Sequence, residues 1–227
     1  MEYFFDNLKN SFDFTLRSKL KFSRKNYSIK VDWKNFLRDI YYFNIFKKCF
    51  TIQNKKISIL DIGSKNWEYI GGEYYFFKTF SDDFILNGIE LDAYRLNSNF
   101  YTRFEIAKSY IKDMSEAKYI PEDFLKHNKK YNYIISILPF ITKYPLVRWG
   151  LPLKYFKPLE MLNHAYNLLE DNGELVIINQ GEDEYEIQKE LNEKLNLNVK
   201  YYGEIEDRFN LFKNKRYCSK IIKNTKF

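Results

Sequence analysis

The chain has 227 residues with an ordinary apolar share, enough for one domain with a substantial core. Two cysteines and two histidines are too few for a disulfide framework or a structural zinc site, so we expect a reducing compartment and no bound metal. No run of roughly 18 apolar residues and no signal-peptide pattern is present, so we expect a soluble cytoplasmic protein.

The positive charge is concentrated in the first quarter of the chain. Residues 1–56 carry 13 Lys and Arg against 5 Asp and Glu, a net charge of +8, whereas the whole chain carries +7 and the remainder therefore −1. Aromatic residues are interleaved with these cations, a pattern that could contact nucleic acid or anionic lipid. The alternative is a solvated lead-in whose aromatic side chains pack on the main domain. We expect a basic, aromatic-rich helical extension over residues 1–55 and the main domain over residues 56–227.

Strands and helices alternate along the main domain, and a helix precedes it. Asp32 is a suitable N-cap for that helix, which runs from Trp33 to about Phe50. The alternation predicts a parallel sheet with right-handed crossovers, and the last two strands, with no helix between them, predict an antiparallel hairpin. The predicted strands are 56–62, 84–91, 117–120, 131–138, 174–179, 198–205 and 216–222, and the predicted helices are 73–78, 103–114, 159–169 and 184–195.

Two of the predicted strands end in an acid. The apolar run 56–62 stops at Asp61 and Gly63, and the run 84–91 closes on Glu90. Such an ending places a carboxylate and a small residue at a turn where a nucleotide-like ligand approaches the backbone, and the second acid is placed to bind ribose hydroxyls. Three more motifs follow in order: Asp123-Phe124, the strand end at 136–140, and the helix, glycine turn and strand of 165–177.

This order of elements and motifs resembles the class I S-adenosylmethionine-dependent methyltransferases from residue 56 to the C-terminus. The resemblance implies a Rossmann-like α/β fold, with a seven-stranded, mostly parallel sheet, helices on both faces and a C-terminal antiparallel hairpin. It also implies S-adenosyl-L-methionine as the cofactor. The residues that match the family's cofactor positions are Asp61, Gly63 and Ser64 at the methionine part, Glu90 with Asp92 at the ribose, Asp123 and Phe124 at the adenine, and Ser136 where cofactor and substrate meet. Lys65, the next residue of the first motif's loop, is a further candidate cofactor contact.

The first motif departs from the family's pattern. That loop usually has a second and a third glycine after Gly63, but here the chain continues through Lys65 and Trp67, whose side chains would crowd a backbone that a ligand approaches closely. Either Gly71-Gly72 provides the flexibility instead, or the side chain of Lys65 or Asn66 binds the carboxylate of the cofactor.

The second departure lies at the end of the fourth strand. Members of the family that methylate the amino group of adenine usually present Asn or Asp there, then two residues ending in Pro, and then an aromatic residue. Here residues 137–140 are Ile-Leu-Pro-Phe, so no polar side chain accepts from an exocyclic amine unless Ser136 does. This difference counts against base methylation.

Methyl transfer from a sulfonium is an in-line displacement, for which an enzyme mainly supplies proximity, alignment and exclusion of water. A catalytic base is needed only if the acceptor must lose a proton. Glu182 is the first candidate, although an acid at that position also suits a helix N-terminus. Candidate substrate contacts lie beyond the carboxyl ends of the strands, and they are Pro139, Phe140, Trp149 and Asn179.

Three functions are consistent with these motifs. The first is an S-adenosylmethionine-dependent methyltransferase that acts on a small-molecule substrate. The second is an RNA or DNA methyltransferase that binds nucleic acid through the basic N-terminal segment. The third is a degenerate Rossmann-like binding module in which Lys65 and Trp67 have closed the pocket. A dinucleotide-binding dehydrogenase is disfavoured because no Gly-x-Gly-x-x-Gly follows the first strand.

Overall fold

The computed structural model describes residues 33–53 and 56–224. These residues form a sheet of seven strands in the order β3-β2-β1-β4-β5-β7-β6, in which β7 is antiparallel to both neighbours and the other pairs are parallel. The arrangement confirms the predicted sheet and its terminal hairpin. The strands are β1 Ile57–Ile62, β2 Phe84–Ile89, β3 Ala117–Ile120, β4 Tyr131–Ile137, β5 Leu169–Gln180, β6 Val199–Ile205 and β7 Arg216–Ile222.

Helices cover both faces of the sheet. The helices are α1 Trp33–Cys49, α2 Ile70–Lys78, α3 Arg103–Tyr110, α4 Lys143–Arg148, α5 Pro158–Leu168 and α6 Gly181–Lys194, with short 3₁₀ helices at Phe124–Lys126 and Leu153–Tyr155. Side chains of α1, α2 and α3 form a core with one face of the sheet, and those of α5 and α6 form a core with the other face. The three-layer α/β fold predicted from the sequence is therefore confirmed.

α1 packs on the sheet through aromatic side chains. The ring of Phe46 lies 6.0 Å from that of Phe76 in α2, and Phe50, just after α1, contacts both Phe77 and Tyr133 in β4. The helix occupies the range predicted from its apolar pattern, whereas the predicted cap, Asp32, lies outside the described residues. The division of the chain at residue 55 stays a prediction.

The suggestion from the sequence that Gly71 and Gly72 make the loop after β1 flexible is wrong. Both lie in the first turn of α2, where a Cβ on Gly72 would meet the carbonyl oxygen of Asp39 at 2.5 Å. The Gly72 amide also donates a hydrogen bond of 3.1 Å to the Asp39 carboxylate. The two glycines therefore allow α1 and α2 to approach closely.

Several element boundaries differ from the predicted ones. α3 ends at Tyr110 instead of continuing to residue 114, and α6 begins at Gly181, three residues early. The turn expected at residues 170–173 lies within β5, because Leu169 already pairs with Tyr131 of β4. Between the first pair and the next, the chain makes an irregular excursion in which Asn172 has φ +60°.

The two cysteines, distant in sequence, meet in the core. Cys49 at the end of α1 and Cys218 in β7 are buried free thiols with their Sγ atoms 3.3 Å apart. They join the first helix to the terminal hairpin without a covalent bond. Within the part of the chain that the structure describes, no helix is long and apolar enough to cross a membrane.

Candidate cofactor and acceptor site

The loop after β1, residues 63–67, is the centre of the candidate site and is called the first loop below. Its backbone is fixed to the end of the neighbouring strand, because the amides of Gly63 and Ser64 both donate to the Ile89 carbonyl, at 2.9 and 3.2 Å. The Lys65 amide donates to the Glu90 carboxylate at 2.9 Å, and the Tyr119 hydroxyl donates to the Lys65 carbonyl. The loop is therefore held in one conformation by groups from β2 and β3.

The first loop keeps a glycine-type backbone although it has one glycine. Gly63, Lys65 and Trp67 have φ values of +73°, +56° and +54°, so every second residue is in the left-handed region. Lys65 and Trp67 follow Gly63 in the loop where the resemblance predicts further glycines. A residue with a side chain pays about 1 kcal/mol to adopt a positive φ, so Lys65 and Trp67 are unfavourable residue types for the backbone conformation of this loop.

The predicted crowding at Trp67 does not occur, because its side chain turns away from the loop surface into the core. The indole is fully buried, packs on Tyr119, and its Nε1 donates to the Glu73 carboxylate at 3.0 Å. The ring lies so close to β2 that a Cβ on Gly88 would meet it at 2.8 Å. Glycine at position 88 is therefore what allows a tryptophan in the loop.

Glu90, directly after β2, is buried and accepts hydrogen bonds from three groups of the protein. One oxygen accepts from the Lys65 amide, and the other accepts from the Asp92 amide at 2.8 Å and from the Arg103 guanidinium at 3.4 Å. Arg103 also lies 3.5 Å from the Asp92 carboxylate. Arg103 was not identified from the sequence, because nothing in its local pattern distinguishes it from an ordinary residue at the start of a helix.

Asp61 lies beneath the first loop and has a carboxylate oxygen with no hydrogen-bond partner among the described residues. Its other oxygen accepts from the Tyr69 hydroxyl at 3.1 Å. Burial, partly offset by that hydrogen bond, raises the pKa of Asp61 to about 8. Glu73, also fully buried, has its pKa raised well above the usual range by burial and by the charge of Asp61. The underside of the loop therefore holds two buried acids, and Glu73 was not identified from the sequence.

The predicted adenine pair lies after β3. Asp123 caps the 3₁₀ helix Phe124–Lys126, with one oxygen accepting from the Leu125 amide at 3.1 Å. Phe124 is buried and packs edge-on against the ring of His164, with 4.9 Å between ring centroids. The apolar member of the pair is thus fixed between the strand end and α5.

Several predicted residues from distant parts of the sequence share one small apolar cavity of about 40 Å³. Ser136 lies in β4 opposite Ile62 of β1, and both line this cavity. Phe124, Pro139 and Phe140 line it as well. The structure therefore brings together two predicted cofactor contacts, Phe124 and Ser136, and two predicted substrate contacts, Pro139 and Phe140.

The side chain of Trp149 packs over the first loop and remains 38% exposed. The Lys65 ammonium is 3.9 Å from the centre of its ring, and the Arg103 guanidinium is 5.4 Å away. Arg95 donates to the Trp149 carbonyl, and to that of Gly150 at 3.4 Å. Burial lowers the pKa of Lys65, which fits its position beneath the indole.

Asn179 and Glu182 differ in their surroundings. Asn179 in β5 is fully buried, and neither its amide nitrogen nor its amide oxygen has a hydrogen-bond partner among the described residues. Glu182 is exposed in the first turn of α6, and its charge acts on Lys215 and Tyr217 of the terminal hairpin. Its position agrees with an acid at a helix N-terminus, and its role as a base stays a prediction.

Comparisons with known proteins were informative only at the level of structure. No protein-family model and no curated protein matches this sequence. A precorrin-6y C5,15-methyltransferase from Geobacter metallireducens superposes with a TM-score of 0.52 and 11% identity over 87% of this chain and 93% of that one. A methyltransferase from Pyrococcus furiosus gives a TM-score of 0.56 and 16% identity, covering 82% and 83%.

A magnesium protoporphyrin IX methyltransferase from Synechocystis, crystallised with S-adenosylmethionine bound, is also similar in fold. Its TM-score is 0.51 at 9% identity, covering 84% of this chain and 79% of that one. The fold is therefore that of the class I S-adenosylmethionine-dependent methyltransferases, with the sheet order and antiparallel hairpin described above. At identities of 9–16%, these superpositions show the fold and not the substrate.

Proposed function

We propose that this protein binds S-adenosyl-L-methionine at the carboxyl ends of β1, β2 and β4 and transfers the methyl group to an acceptor. The observation that carries the proposal is the first loop. Its left-handed positions 63, 65 and 67 persist although two of them bear side chains, and Glu90 fixes the loop from the next strand. A backbone kept in so costly a conformation indicates a functional requirement at this turn.

The residues present fit that cofactor. The unpartnered oxygen of Asp61 is a buried polar atom beneath the first loop, and the ammonium group of the methionine part, placed against it, would favour the ionised form of this acid. A carboxylate offers about four lone-pair sites, so Glu90 retains capacity for ribose hydroxyls beside its three protein donors. Asp123 uses one oxygen as a cap, and the other would accept from the adenine amino group, with Phe124 against the ring.

The cofactor supplies a sulfonium methyl group that is already activated. The chain's own residues position it and exclude water, and Trp149, seated on Lys65, covers the Glu90 side of the site. Ser136, Pro139 and Phe140 would border the transferred group, and Asn179 would hydrogen-bond the acceptor. If the acceptor must lose a proton, Glu182 is the proposed base.

The cavity beside Ser136 has a volume of about 40 Å³, whereas pockets that enclose small ligands have volumes of several hundred Å³. Neither the cofactor nor a small acceptor fits inside it, so both would bind at the open carboxyl ends of the strands.

Calorimetric titration with S-adenosylmethionine, its demethylated product and NAD tests the proposal. We expect micromolar binding of the first two ligands and no binding of NAD. Absence of binding for all three would contradict the proposal and favour a non-catalytic module, in which Lys65 and Trp149 close the site.

A further inference from the structure

Exposed apolar side chains are concentrated at the edge of the candidate site. Of the thirteen large apolar residues exposed in the described parts of the chain, nine lie in residues 91–101 or 144–153. They include Phe100 at 87% exposure, Tyr144 at 72% and Tyr94 at 67%. Exposed apolar residues are ordinary when scattered, but a cluster of this kind indicates an interaction surface.

The two segments form one surface, called the rim below and defined as residues 91–101 and 143–157. Arg95 joins them, because its guanidinium donates to the carbonyls of Trp149 and Gly150 and pairs with Asp92. The rim borders the first loop directly through the contact between Trp149 and Lys65. A molecule bound on the rim is therefore next to the position proposed for the methyl donor.

The charge of the rim selects its partner. Residues 143–157 contain four cations and no acid, and Arg148 and Lys154 are exposed. The nearest acid after this stretch, Glu160, pairs with Lys157. Residues 1–32, with seven Lys and Arg against four Asp and Glu, carry the same sign of charge as the rim and are disfavoured as its occupant.

Exposed rings interleaved with cations are the pattern by which proteins bind single-stranded nucleic acid, since bases stack on the rings and phosphates pair with the cations. An anionic membrane also attracts cations and aromatic residues, but residues 97–99, Asn-Ser-Asn, form the polar tip of one rim segment. Residues 97–99 would have to lose their hydration for the adjacent Phe100 to insert between lipids, which disfavours a membrane as the partner. The basic residues 1–32 lead into α1, whose Arg38 pairs with Glu68, just after the first loop.

We propose that the rim binds single-stranded RNA or DNA and presents it to the methyl-transfer site. The proposal deepens the proposed function by naming its substrate class. Binding of single-stranded nucleic acid to the rim needs no cofactor. The anisotropy experiment therefore tests the rim, and the calorimetric titration separately tests S-adenosylmethionine binding. The rim residues Phe100, Tyr144 and Lys154 are outside the proposed cofactor contacts.

Fluorescence anisotropy of the full chain with a labelled RNA strand of about 12 nucleotides tests this, since single-strand binding folds cover sites of that order. We expect binding without S-adenosylmethionine that weakens steeply between about 50 and 200 mM salt. The same strand annealed to its complement should bind more weakly. Vesicles of phosphatidylglycerol should bind least.

Matched pairs of variants locate the binding surface. Phe100→Ala should weaken strand binding about tenfold through lost stacking. Phe80→Ala removes another exposed phenylalanine ring, from the loop before β2 at the opposite end of that strand, and should have no effect. Lys154→Ala should reduce the slope of log affinity against log salt by about 0.7, and Lys112→Ala, an exposed lysine before β3, should not.

The proposal is overturned if no strand binds, if vesicles bind and the strand does not, or if the duplex binds more tightly. It is also overturned if Phe100→Ala and Lys154→Ala bind like the parent chain, because the basic N-terminal segment would then carry the binding alone. Thermal melts of each variant show whether a loss of binding reflects unfolding.

Discussion

The two halves of the candidate site are built differently. Around the first loop, the Glu90 carboxylate accepts from backbone amides and from the Arg103 guanidinium, and the Tyr119 hydroxyl donates to the Lys65 carbonyl. On the rim, large apolar side chains are exposed instead.

This difference follows from two requirements, tight binding of a small ligand around the first loop and access for an acceptor at the rim. A site for a small, constant ligand gains from preorganisation, because groups fixed in advance lose little entropy on binding. A surface for an acceptor must remain accessible, so its apolar side chains stay exposed until the partner arrives. Buried acids and left-handed residues therefore occur on the first side, and exposed rings on the second.

The largest expected effect on cofactor affinity concerns Glu90. Glu90→Ala removes the acceptor of the Lys65 and Asp92 amides and of Arg103, and it should cost about 2 kcal/mol of S-adenosylmethionine affinity, or roughly thirtyfold. Calorimetric titration measures this, with Glu160→Ala, an exposed acid on α5, as the control. Unchanged affinity in Glu90→Ala would remove Glu90 from the cofactor site.

The contact between Trp67 and β2 can be broken at Gly88. Gly88→Ala places a methyl group within 3 Å of the indole and of the Ser64 hydroxyl, and it should lower the free energy of unfolding by about 2 kcal/mol. Urea titration measures the loss. In a Trp67→Phe background the substitution should cost less, since the ring atoms nearest Gly88 are gone. Equal costs in both backgrounds would show that the indole does not require the glycine.

The buried acid beneath the first loop predicts a pH dependence of stability. Between the unfolded-state pKa near 4 and the folded-state pKa of about 8, folded Asp61 holds a proton that the unfolded chain has released. The free energy of unfolding should therefore fall as pH rises through this window, by at most about 1.4 kcal/mol per pH unit for one group. Asp61→Asn should make the slope shallower, with Glu73 maintaining part of it. Urea titrations across the window measure both slopes, and identical slopes would contradict the raised pKa.

The smallest expected effect concerns the strained loop residue Lys65. Lys65→Gly and Lys65→Ala both remove the ammonium from Trp149, but only glycine relieves the positive φ. The glycine variant should be more stable than the alanine variant by about 1 kcal/mol. Urea titration of the two variants gives the difference. If alanine is equally stable, position 65 is unstrained.

Much of the architecture was predictable because its signals are local. Apolar runs alternating with helical periodicity predicted the seven strands and the terminal hairpin, and the acids at the strand ends identified Asp61 and Glu90. The predicted start of β5, at residue 174, was wrong. Residues 170–173 have the composition of a turn, but Leu169 already pairs with Tyr131 of β4 and so belongs to the strand. Pairing across strands is not visible in either segment alone.

The sequence by itself determined the sheet, its hairpin and the acids that end its first two strands, since periodicity and strand-end residues act within a few positions of one another. Only the tertiary structure decided how a loop with one glycine adopts positive φ values at three positions, Gly63, Lys65 and Trp67. Trp67 is buried against Gly88, Arg103 reaches Glu90, and Trp149 returns over Lys65. Each of these contacts joins residues at least thirteen positions apart, so it depends on the folded arrangement of the sheet and not on any local pattern.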